Sequence, residues 1–108
     1  TSSLLRTLNL VNHSLQLCAP TLAVTTHDII LEDSCLGNGY GLPTNAMQEA
    51  VYLMAQTEGL LLDPVYTGKA FAGILADIRR GKFETTDNIL FVMTGGSPGL
   101  HAYRNVFM

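Results

Sequence analysis

Three segments of the chain carry residue types that could do chemistry: Gly39-Tyr40-Gly41-Leu42-Pro43, Asp63-Pro64-Val65-Tyr66-Thr67-Gly68-Lys69-Ala70, and Met93-Thr94-Gly95-Gly96. Thr67 falls near the start of a helix, where a hydroxyl and unpaired backbone N–H groups are offered to an acceptor. Thr94-Gly95-Gly96 has no bulk on two consecutive residues, so the backbone there can pass close beside a flat ligand. Together they describe a generic anion or cofactor site. Taken one at a time, the same residues also read as an N-cap and a turn, and composition alone favours that plainer reading.

The elements that must position these segments follow from apolar spacing and breakers. Leu4, Leu5, Leu8, Val11 and Leu15 predict a helix over residues 2–18, with Ser2 and Ser3 as cap candidates, Asn9, Asn12, His13 and Gln16 facing water, and Pro20 preventing continuation. Asp28 to Asp33 reads as a brief strand or an extended edge segment, and Gly37 to Pro43 as a tight loop. Thr44 or Asn45 caps a second helix that places Met47, Ala50, Val51, Met54 and Ala55 on one face, with Gly59 just past its end. Leu60 to Val65 reads as a buried extended passage, leading into a third helix through Phe71, Ile74, Leu75 and Ile78 that Gly81 stops. Ile89-Leu90-Phe91-Val92-Met93 is a continuous apolar run of the kind that fits a parallel strand covered on both faces. Helix, buried strand and glycine turn in that order predict an α/β fold, a partial three-layer open parallel sheet flanked by helices, with ligands at the carboxyl ends of its strands.

Composition bounds the partners. The 108 residues are 47% hydrophobic, and charged residues make up 14% against roughly 25% in an average soluble domain. Such a surface predicts faces that meet other protein, so residues 1–108 read as a single incomplete domain. A net charge of −3 provides no basic stripe for a phosphate backbone, so nucleic acid is not an expected partner. No apolar run approaches the roughly 18 residues of a membrane span, and no signal peptide is evident, which makes a cytoplasmic location the expectation. Cys18 and Cys35 read as reduced thiols, and no His or Cys pair has zinc-ligand spacing, so no metal is expected.

From about Leu31 to Tyr103 the chain resembles the C-terminal part of the D-cysteine desulfhydrase and 1-aminocyclopropane-1-carboxylate deaminase family, pyridoxal-phosphate enzymes of fold type II with a tryptophan-synthase-β-like architecture. The resemblance rests on Gly39-Tyr40-Gly41-Leu42-Pro43, on Glu58-Gly59 followed by Leu62 to Ala70, on Arg80-Gly81, and on Thr94-Gly95-Gly96. By that resemblance Tyr40 and Tyr66 are active-site tyrosines that orient substrate or move protons. Thr67, Thr94 and Gly95 contact the cofactor: Thr67 stands where deaminases carry an acidic residue beside the pyridine nitrogen, and Thr94 where they carry leucine. Both markers favour the desulfhydrase, with D-cysteine as substrate, over the ring-opening deaminase. A carboxylate would hold the ring nitrogen protonated and strengthen the electron sink, whereas a hydroxyl can donate to an unprotonated nitrogen.

The resemblance also implies that the Schiff-base lysine and the phosphate loop lie upstream of this segment, in an N-terminal portion of the enzyme, and that the complete enzyme is a homodimer. Lys69 then reads as structural, snorkelling or pairing with a carboxylate. On this reading the 108 residues alone do not catalyse. The rival expectation is a non-catalytic association module that keeps the helices and uses its apolar faces to bind a partner or itself.

Overall fold

The computed structural model describes residues 2–108 and divides the chain into two compact units, Thr1–Glu32 and Asp33–Met108. In the first unit, α1 (Ser2–Cys18) turns Leu4, Leu8, Val11 and Leu15 to its half-buried side, while Leu5 stays exposed. Asn12, expected to face water, instead exchanges two 2.9 Å hydrogen bonds with the backbone of Val24 and so ties the returning chain to the helix. Asp28 belongs to a single 3-10 turn, Thr26–Asp28, and no strand follows it.

The second unit is built on two helices, α2 (Asn45–Glu58) and α3 (Thr67–Arg79). Thr44 caps α2 as expected, its hydroxyl accepting from Met47 N at 3.1 Å, and Gly59 ends it in the left-handed conformation at φ 67°. Met47 and Val51 of α2 and Leu62 of the following segment form the buried centre, against which Met54, Phe71, Phe91, Leu100, Val106 and Phe107 pack. The residues buried on α3 are small or polar: Thr67, Gly68, Lys69, Ala72, Gly73 and Asp77. Asp77 holds Arg80 and Lys82 beyond the helix end, where Gly81 turns with φ 71°. A 3-10 segment (Ser97–Tyr103) and the short α4 (Arg104–Phe107) close the unit, with Tyr52 Oη donating to Phe107 O at 2.5 Å.

The expected parallel sheet is absent. The chain is 54% helix and contains no strand among the described residues. Ile89 to Met93 does run extended, but a strand exists only through a ladder with a neighbour, and no other extended segment pairs with it. Nor is the run covered on both faces: Leu90 is 87% and Val92 67% exposed, and only Phe91 turns inward, onto Phe71 at 5.3 Å between ring centroids. The passage before α3 is buried only from Leu62 onward, Leu60 and Leu61 being exposed. No helix among the described residues is long and apolar enough to cross a membrane.

Candidate functional site

The helix entrance is organised by Asp63. Its side chain is buried, with Oδ2 accepting from the N–H groups of Val65 (2.8 Å) and Tyr66 (2.7 Å), and Oδ1 accepting from the N–H and hydroxyl of Thr67 (both 2.7 Å). Thr67 Oγ1 in turn accepts from Asp63 N at 2.8 Å. The N–H of Thr67, which opens α3 and has no partner within the helix, and those of the two residues before it are thereby satisfied by one carboxylate. Burial pushes the Asp63 carboxyl up, but the bonds from Thr67, Tyr66 and Val65 outweigh it and hold the group below the ordinary aspartate value. Gly68 completes the turn by donating to Asp63 O at 2.8 Å. A Cβ there would stand 2.7 Å from that oxygen and 2.9 Å from Val51 Cγ2, so only glycine fits.

This turn leaves Tyr66 at the N-cap of α3 with its ring outward, 58% exposed. Tyr40, on the glycine loop, meets it edge-on with ring centroids 5.9 Å apart, and the two phenolic oxygens are directly hydrogen-bonded. Tyr66 is pushed above the ordinary tyrosine value, first by its bond to Tyr40, then by burial and the negative charge nearby. Beside the pair lies a cavity of about 360 Å³, lined by Leu36, Gly37, Asn38, Tyr40, Tyr66 and Lys69 among others. Lys69 is buried, and Nζ donates to the loop carbonyls Leu36 O at 2.5 Å and Gly39 O at 3.2 Å, so it neither snorkels to water nor pairs with a carboxylate, the two arrangements expected.

The third segment approaches from the other side. Gly95 and Gly96 have φ of 97° and 93°, and a Cβ on Gly96 would stand 3.0 Å from Asp63 Cβ, so this glycine turn lies against the helix entrance. Ser97 Oγ fixes it by donating to Leu61 O at 2.7 Å. Nothing lies within 4 Å of a Cβ on Gly95, and Thr94 is exposed with no side-chain hydrogen bond among the described residues. Of the residues singled out from sequence, Tyr40 and Tyr66 are brought into direct contact, Thr67 is bound to Asp63, and no hydrogen bond joins Thr94 or Gly95 to either tyrosine among the described residues.

Asp63 and Tyr103 were missed as organisers. An aspartate three and four residues ahead of N–H groups opening a helix is a capping signal that Pro64 obscured. Tyr103 Oη donates to Gly41 O at 2.8 Å from 62 residues away, and no local pattern announces such a contact.

Over 90 residues, 82% of its length, the chain is 52% identical to proteins named D-cysteine desulfhydrase from Salmonella newport (strain SL254), Salmonella heidelberg (strain SL476) and Salmonella enteritidis PT4 (strain P125109). The chain belongs to the D-cysteine desulfhydrase family. It spans about a quarter, 27%, of the length of these relatives. No family model matches it. Within this D-cysteine desulfhydrase-family chain the tyrosine loop, the Asp63 turn and the glycine turn converge on one end of α3.

Proposed function

We propose that this chain contributes the tyrosine side of the active site of a D-cysteine desulfhydrase, a pyridoxal-phosphate-dependent lyase that converts D-cysteine and water to pyruvate, ammonia and hydrogen sulfide. The observation that carries the reading is the Tyr40–Tyr66 hydroxyl pair at the rim of the cavity, and similarity to the Salmonella proteins of that name supports the substrate. In this reading the remainder of the active site, including the lysine that attaches the cofactor, lies outside these 108 residues. Neither lysine of the chain suits that role: Lys69 is held by carbonyls and Lys82 by Asp77.

The residues present fit the ring portion of pyridoxal phosphate. Thr94 offers a free hydroxyl and Gly95 an open Cα, the two features a flat heteroaromatic edge requires. Thr67 fits on narrower terms. Its one proton is committed to Asp63 and one lone pair to Asp63 N, so it can meet a ring nitrogen only as an acceptor. When bound, the cofactor supplies the electron sink that allows the Cα proton of an amino acid to leave.

The tyrosines provide the proton traffic. Two phenols carry two O–H protons, and one is used within the pair, leaving the other free for a substrate carboxylate or thiol. A tyrosine is neutral at physiological pH at its ordinary value, and the bond to Tyr40 raises Tyr66 further, so the hydroxyl pair meets a ligand uncharged. Both rings are exposed here, which leaves their oxygens accessible to a ligand.

The test is D-cysteine-dependent pyruvate formation by the complete protein that contains this chain. The Tyr40→Phe/Tyr66→Phe double variant should lower kcat at least about 100-fold, the scale of a lost proton-transfer group, and each single variant by a smaller factor because the other tyrosine keeps its hydroxyl. Wild-type turnover in the double variant would refute the assignment.

A further inference from the structure

We infer that Lys69 and Tyr103 are positioning residues that clamp the glycine loop and so set the Tyr40 hydroxyl against Tyr66. The inference rests on the reading that this pair handles the proton. It starts from an energetic oddity. Lys69 lies in the first turn of α3, where the helix dipole disfavours a cation, and it is buried. No carboxylate forms an ion pair with it among the described residues, where Arg79, Arg80 and Lys82 carry the ion pairs. Burial of an unpaired ammonium is costly unless its protons are bonded. The bonds it makes, to Leu36 O and Gly39 O, reach 33 and 30 residues back along the chain, to the loop that carries Tyr40.

The carbonyls held are the ones that matter for Tyr40. A peptide unit is planar, so fixing the Gly39 carbonyl also fixes the N–Cα bond direction into Tyr40. On the far side Tyr103 Oη holds the Gly41 carbonyl, fixing the plane that leads out of the loop. Gly41, with φ 70°, allows that approach, since a Cβ there would stand 3.0 Å from the Tyr103 oxygen. Two side chains from separate elements therefore grip the backbone on both sides of one exposed tyrosine. Lys69 is also three residues from Tyr66, on the same helical turn, so one helix end holds both members of the pair in register.

The test follows tyrosinate formation by ultraviolet absorbance during an alkaline titration of the complete protein that contains this chain, with far-UV circular dichroism recorded at each pH. In each background the Tyr66 ionisation is read as the difference made by Tyr66→Phe, and in the otherwise wild-type protein this late step should lie above the ordinary value of about 10. Tyr40→Phe should abolish the late step too, because it removes the bond that raises Tyr66. The late step should be lost in Lys69→Met and in Tyr103→Phe while the helical signal is retained. Should Lys69→Met not fold, Tyr103→Phe, which keeps its ring and loses only the hydroxyl, decides alone. A folded Tyr103→Phe or Lys69→Met protein that keeps the late step overturns the clamp and leaves the tyrosine pair standing. A wild-type protein without the late step instead overturns the pair itself.

Discussion

Replacing Asp63 by Asn isolates the carboxylate that starts α3, because the two side chains have nearly the same shape. One carboxylate oxygen becomes an NH2 group that cannot accept, so two of the four bonds from Val65 N, Tyr66 N, Thr67 N and Thr67 Oγ1 are lost whichever way the amide turns. Hydrogen bonds to a charged group contribute about 1.5–3 kcal/mol each. Water can reach the half-buried Val65 and exposed Tyr66 backbone and recover part of this, which leaves a loss of about 3 kcal/mol. For a unit of this size that is a fall in Tm of roughly 15 °C, read by thermal denaturation at pH 7 with far-UV circular dichroism. The pH dependence has a definite sign. The folded-state pKa of Asp63 is depressed, so its stabilisation is present above the unfolded value of about 3.9 and is lost as pH falls through the lower folded value. The gap between wild type and Asp63→Asn should therefore be widest near neutrality and narrow below about pH 4. A variant within about 0.5 kcal/mol of wild type at pH 7, or a gap that fails to close in acid, refutes the capping argument.

Two further substitutions test neighbouring parts of the frame. Thr44→Ala removes the acceptor for Met47 N and should cost about 1 kcal/mol in urea denaturation, with Thr44→Ser close to wild type; equal loss from both would show that the hydroxyl is not the cause. Gly68→Ala inserts a methyl 2.7 Å from Asp63 O and 2.9 Å from Val51 Cγ2, so it should lower stability by about 2 kcal/mol, and an unchanged denaturation midpoint would contradict the close approach.

The helices were legible because their signals are local. Met47, Ala50 and Val51 repeat at helical spacing, Thr44 supplies the cap and Gly59 the left-handed stop, all within 16 residues of chain. The sheet was not legible for the opposite reason. Ile89 to Met93 has the composition of a buried strand, but whether it pairs depends on distant segments that composition does not report, and here Leu90 and Val92 face outward. The site divides along the same line. The family resemblance selected Tyr40 and Tyr66, which prove to be in direct contact, although nothing in their local spacing announces that contact. Asp63 hid behind Pro64, and the Lys69 and Tyr103 contacts span 30 to 62 residues, beyond any periodicity.

What distinguishes chemistry from scaffolding at this site is which protons are already spent. Thr67 gives its only proton to Asp63, and Lys69 gives two of its protons to carbonyls, so both residues work by holding backbone in place. The Tyr40–Tyr66 pair retains one O–H proton after its internal bond, and Thr94 retains its own. The unspent donors sit on exposed residues, on the loop that carries Tyr40 and at the glycine turn lying against Asp63, while the spent ones are buried beneath them. A rigid buried layer supporting adaptable donors is the arrangement that keeps a reacting group within the narrow geometry that proton transfer demands. It follows that loss of Thr67 or Lys69 should act through geometry, whereas loss of the Tyr40 or Tyr66 hydroxyl should remove a proton from the pair itself.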